Sequence, residues 1–222
     1  MTSYQRQLLA VLSPAERQLF ARLANPKKIQ DFLDTLNINF ESGGEIIIHS
    51  PREVLKRRRA HCIEGALVAA TALAYHGEAP LLFDLRSTSD DFDHVMTLFK
   101  INNHWGAFSK TNYPVLRYRD PVYRTIRELA MSFFHEYYLS LPKGDKRNGK
   151  KTLREYSKPF DLRRFRPEQW VTAEGDLDWL AEELDNSPHL PVVEKSLFKH
   201  VRPASAFETA ATKVTQWKKP RS

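Results

Sequence analysis

Apolar residues recur three or four positions apart at Ile29, Phe32, Leu33 and Leu36, which predicts a helix with one inward face. Upstream, Ser13 precedes Pro14 and is followed three residues on by Glu16, the pattern of a capped helix start, so the stretch from 13 to 36 reads as two short helices. The segment 41–50, ESGGEIIIHS, reads as a turn and a short apolar run. Ser50 with Pro51 repeats the capping signal for a helix through Val54 and Leu55. From Cys62 the pattern changes. CIEGALVAATALAYHG is apolar around most of its circumference, as a buried central helix is, and Gly77 stands where such a helix stops.

Next comes APLLFDLRS, a continuous apolar run closed by the acidic loop STSDDFD, which predicts an interior strand. HVMTLFKINNHWGAFSKTN reads as two strands joined at Asn102-Asn103, because asparagine tolerates the positive φ of a two-residue hairpin turn. Asp120 and Pro121 are read as opening a helix whose apolar stripe runs through Val122, Ile126, Leu129, Ala130, Phe133 and Tyr137. LPKGDKRNGKK is a surface loop, FDLRRFRPEQW is irregular, and DLDWLAEELDNSPHLP carries one more helix. Residues 201–222 read as a basic, extended tail. The expected class is α+β, with N-terminal helices and a central cysteine-bearing helix on a small antiparallel sheet, in a single domain over residues 1–200.

Composition narrows the function classes. With 222 residues and 41% hydrophobic content the chain can bury a sizeable core. No apolar stretch approaches the roughly 20 residues that span a bilayer, and the first residues lack a basic segment followed by a long apolar one. A soluble, cytoplasmic protein without a membrane partner is expected. The single cysteine excludes an internal disulfide and argues against structural zinc. No cofactor and no metal are expected. The acidic residues Asp90, Asp91 and Asp93 with His94 lack the spacing of an EF-hand or a zincin and read as a solvated loop. The net charge of +7 is diffuse apart from LKRRRAH and WKKPRS, so it reads as a solvated basic face, with anion or nucleic-acid binding a minor alternative.

Cys62 is the candidate nucleophile. A helix start stabilises a thiolate through its dipole and unpaired N–H groups, and those groups can also receive a developing oxyanion. Arg57, Arg58 and Arg59 lie just upstream and can lower the thiol pKa further if one points back. His94 is the candidate base, since a helix–strand unit returns it towards the start of the cysteine helix. His61 is the weaker candidate, because consecutive side chains on a helix diverge by about 100°. A free cysteine is otherwise a small buried hydrophobe.

The hairpin register bears on the group that orients the imidazole. Pairing Ile101 with His104 sets Met96 opposite Ser109 and His94 opposite Thr111, so Ser109 and Thr111 share the His94 face. Asn112 falls on the other face unless the strand end turns it inward, although its amide oxygen is the better acceptor. Asp84, inside an apolar strand, needs a partner such as Arg86 and is held in reserve for orienting His94.

Taken together, REVLKRRRAHCIEGALVAATALAYHGEAPLLFDL and DHVMTLFKINNHWGAFSKTN resemble the transglutaminase-like branch of the papain-like cysteine enzymes, and are similar to a group of bacterial proteins within it. The resemblance covers about residues 25 to 125. It implies a papain/transglutaminase-like fold with Cys62 as nucleophile and His94 as base, and it puts Ser109 where that family has aspartate. The third position is therefore weakened, supplied by a neighbour such as Asn112, or absent. Acyl transfer on amide or ester bonds through a thioester follows, with a peptide or protein as substrate. The rival expectation is an inactive fold that serves as a binding or scaffold module.

Overall fold

The computed structural model describes residues 1–39, 47–142 and 144–214. Three short helices come first: α1 (Ser3–Val11), α2 (Pro14–Arg22) and α3 (Pro26–Asp34). Ser13 caps α2 as expected, with Glu16 returning the reciprocal hydrogen bond, whereas α1 was not anticipated and rests on a capping box of Thr2 and Gln5. The turn expected within ESGGEIIIHS lies outside the described residues, apart from its last four. Strand β1 (Asn37–Ile38) pairs in parallel with β2 (Arg59–Ala60), and α4 (Pro51–Arg57) lies between them in sequence.

Helix α5 (Cys62–Tyr75) is the buried axis of the molecule. Gly77, at φ +87°, closes it with the two hydrogen bonds of a Schellman turn, Gly77 N–H to Ala74 O and Glu78 N–H to Leu73 O. Its small residues let a sheet approach closely. Strand β3 (Leu81–Arg86), β4 (His94–Ile101), β5 (His104–Phe108) and β6 (Arg119–Tyr123) form an antiparallel meander, followed by α6 (Ile126–Phe134). Then come β7 (Glu155–Ser157), β8 (Phe160–Asp161), α7 (Pro167–Trp170), α8 (Asp178–Asp185), β9 (His189–Pro191) and α9 (Ala206–Ala211). The sheet runs in the order β6-β5-β4-β3-β7-β9, with β8 also on β3.

Alternation along the strands divides the core into two layers. Leu82, Val95, Phe99 and Phe108 meet α5 and the other helices of the first layer. Phe83, Leu85, Met96, Leu98 and Ala107 meet Leu129, Ala130 and Phe133 of α6 on the other side. The Thr97 hydroxyl donates to Ala66 O at 2.5 Å, tying β4 to α5. This is a mixed α+β arrangement on an antiparallel sheet. No helix among the described residues is long and apolar enough to cross a membrane.

Two local expectations are corrected. Asp120 and Pro121 lie in β6 and not in a helix; β6 is the outermost strand, where proline's missing donor costs no ladder bond, and α6 begins later at the Thr125–Glu128 capping box. Within the segment read as an extended tail, residues 206–211 form α9. It is capped by Ser205 and docked through Tyr138 Oη, which donates to Glu208 O at 2.6 Å.

Candidate active site

The connection between α4 and α5 delivers two candidate side chains together. Arg58 adopts a left-handed conformation, φ 55°, that ends α4, and the β1–β2 pair then carries the chain to His61. His61 is the N-cap of α5, with extended backbone at φ −96° and ψ −170°, and Cys62 is the first helical residue. The divergence of about 100° holds between two residues inside a helix, and His61 lies outside it. The Cys62 thiol is partly exposed, and the rings of both His61 and His94 act on it. Burial pushes its pKa up, but these two imidazoles outweigh burial and hold it well below the ordinary thiol value. Of the upstream arginines, Arg57 lies near Glu53 at 3.8 Å and Arg58 over the Phe32 ring.

His94, 4% exposed, begins β4, and its Nε2 stands 2.8 Å from Ser109 Oγ. The Ser109 hydroxyl has a single proton, and it goes to Leu116 O at 2.6 Å. Oγ must therefore accept from His94 Nε2–H, which fixes the tautomer and leaves Nδ1 for the thiol. Ser109 is itself clamped by a residue that sequence reasoning missed. Buried Gln30 of α3 accepts the Ser109 N–H at 3.1 Å and donates to Ser109 O at 2.9 Å, imitating a neighbouring strand. A polar residue on the inward side of α3 was its signal in the sequence.

The hairpin is as read, with Asn102 at φ 47° and Asn103 at φ 62° and Ile101 opposite His104. However, β5 ends at Phe108, so Thr111 does not pair with His94; its hydroxyl instead accepts the Tyr113 N–H at 3.1 Å. Asn112 lines the cleft, while the group on His94 Nε2 is Ser109. Lys110, fully buried, crosses the first turn of α5 and donates to Leu36 O at 2.6 Å. Burial brings its pKa down to about 8.

Behind His61, the buried Glu64 carboxylate accepts the His61 backbone N–H at 2.9 Å and the His49 ring at 2.6 Å. Its Oε2 lies 3.7 Å from His61 Nε2. One flank of the thiol thus has an acid behind its imidazole and the other has a hydroxyl.

Cys62, His61 and His94 open into a cleft of about 370 Å³. Its walls include Phe92, Tyr113, Tyr137 and Leu139, with Thr212 just beyond α9. In the acidic loop beside it Asp90 pairs with Lys150 at 3.2 Å, Asp91 accepts the Thr152 hydroxyl at 2.5 Å, and one oxygen of Asp93 accepts the Ser87 N–H at 2.6 Å. Asp84 turns to His189, Nε2 to Oδ2 at 3.1 Å, and so orients neither His94 nor Arg86. Among the described residues no closed metal cage surrounds the thiol. No protein-family model matches the chain, and no curated protein matches it.

Proposed function

We propose that the protein is a cysteine-dependent acyl-transfer enzyme of the transglutaminase-like kind, acting on amide or ester bonds of a peptide or protein. The observation that carries this reading is the thiol of Cys62, held low in pKa between His94 and His61 at the first turn of a buried helix and open to a cleft. Nucleophilic catalysis by cysteine needs this arrangement: a thiolate at neutral pH, a base in contact with it, and a third group that fixes the base.

In the proposed reaction Cys62 Sγ attacks the substrate carbonyl, and the new C–S bond forms as the carbonyl π pair moves to oxygen. N–H groups of the first turn of α5, which have no acceptor within the helix, face the negative oxygen. The tetrahedral centre collapses with loss of the amine or alcohol, to which His94 Nδ1–H returns the thiol proton. Water or an amine then attacks the thioester, giving its proton to His94, and Cys62 departs as thiolate. Ser109 keeps the ring in the required tautomer throughout. His61 is a second donor to the sulfur and deepens the resting thiolate.

A second reading, a binding module without turnover, draws support from one observation: Ser109 is neutral and cannot stabilise an imidazolium by charge. Activated p-nitrophenyl acyl esters separate the two. A burst of one equivalent of nitrophenolate, with the acyl group found on Cys62 by mass spectrometry and absent in Cys62→Ala and His94→Ala, supports the enzyme. No acylation of the wild type under millimolar ester refutes it.

A further inference from the structure

We infer that Asp84, Asp93 and Asp185 form a binding site for one hard divalent cation of the Ca²⁺, Mg²⁺ and Mn²⁺ class. The three residues come from β3, from the loop ahead of β4, and from the last position of α8, and each brings a carboxylate oxygen within 4.8 Å of the other two. Ligand oxygens on opposite sides of a bound Ca²⁺ are about 4.8 Å apart, and about 4 Å around Mg²⁺, so this spread suits such an ion with little movement.

The independent observation is Asp84. Its side chain is 1% exposed, and while Oδ2 takes the His189 ring, Oδ1 has no hydrogen-bond partner among the described residues. A buried carboxylate oxygen without a donor is costly, and a cation is the natural group to satisfy it. Asp93 has one oxygen on Ser87, leaving Oδ2 for a ligand.

Charge points the same way. His189 meets Ser187 O through Nδ1 at 2.7 Å and Asp84 Oδ2 through Nε2 at 3.1 Å. Arg86 also reaches this corner, but its guanidinium is on Glu155 Oε2 and on the Asp185 backbone carbonyl. The C-terminal end of α8 adds its partial negative charge, with no basic residue in its last turn. The donors are all oxygen, because the His189 nitrogens are both spent, which excludes a thiolate- or imidazole-seeking metal such as zinc from preference. The bound ion ties α8 to the sheet and fixes the residue immediately before His94. This inference does not rest on the thiol chemistry.

The test uses the full chain, stripped with chelator and titrated with Mn²⁺ by the loss of its free-ion electron paramagnetic resonance signal, and with Ca²⁺ and Mg²⁺ by calorimetry. One equivalent of at least one ion is expected to bind with a Kd below about 1 mM and to raise Tm. Asp185→Asn and Asp93→Asn, both at exposed positions, are each expected to weaken binding at least about tenfold while leaving the ion-free circular dichroism unchanged. No binding of any of the three ions at about 10 mM, or an affinity in both variants equal to that of the unmodified chain, overturns the assignment.

Discussion

Ser109 accepts the His94 Nε2 proton while giving its own to Leu116 O, and that double duty explains why a serine stands there. An aspartate could accept from the ring but would turn its other oxygen towards a carbonyl. Ser109→Asp is therefore expected to lower esterase turnover rather than raise it, and Ser109→Ala to lower kcat/KM by about 10- to 100-fold, the loss of one or two buried hydrogen bonds. Steady-state kinetics on the same ester substrates checks both. A gain in Ser109→Asp would show that charge, and not ring placement, limits the site.

The two imidazoles on Cys62 are separable by titration. Alkylation by iodoacetamide is expected to inflect well below the usual thiol value of about 8.5, because the thiolate is favoured by its two donors. His61→Ala is expected to move the inflection upward and to keep measurable turnover; His94→Ala moves it upward and abolishes turnover. An unchanged inflection in His61→Ala would remove His61 from the site.

Gly65 sits one turn into α5, and a Cβ built on it would lie 2.3 Å from the Lys110 Cβ. Because that neighbour is the rigid base of a side chain, the helix and the segment after β5 must separate. Gly65→Ala is expected to destabilise by about 1–3 kcal/mol despite alanine's better helix propensity, and to slow alkylation of Cys62. Urea unfolding and alkylation rates measured on one preparation test this.

Glu16 links the first helices to α4. Burial works against its ionisation, yet Arg52 grips it from Nε and Nη2, each at 2.8 Å, and with the Ser13 N–H holds its pKa down to about 2. A depressed carboxylate pKa stabilises the fold above its ordinary value of 4.5 and loses that contribution as pH falls towards 2. Glu16→Gln should cost about 1 kcal/mol at pH 7, allowing for partial solvation of the pair, and nothing near pH 2. Parallel unfolding curves at the two pH values provide the measurement.

Local signals survived well between sequence and structure. Ser13, Gly77 and Asn102-Asn103 act through neighbours within a few residues, so their roles can be read from adjacent letters. Cys62 and His94 were legible for a related reason, each opening an element that the hydrophobic pattern defines. What was not legible depends on distance along the chain. Strands β7, β8 and β9 are two or three residues long and exist because β3 and β7 offer them ladders, which no short window contains. Gln30 reaches Ser109 across 79 positions and His189 reaches Asp84 across 105. Asp-Pro at 120–121 misled for a different reason: it marks a helix start in many contexts, and only the edge position in the sheet decides against that.

The cleft draws its wall from Ile38 through to Thr212. A fragment trimmed to the cysteine helix and its hairpin would keep sulfur and imidazole yet discard one bank of the channel, so whatever enters the cleft meets the late-arriving segments as much as Cys62 and His94. Exchanging those segments would then reshape what fits the cleft while leaving the cysteine and histidine in place.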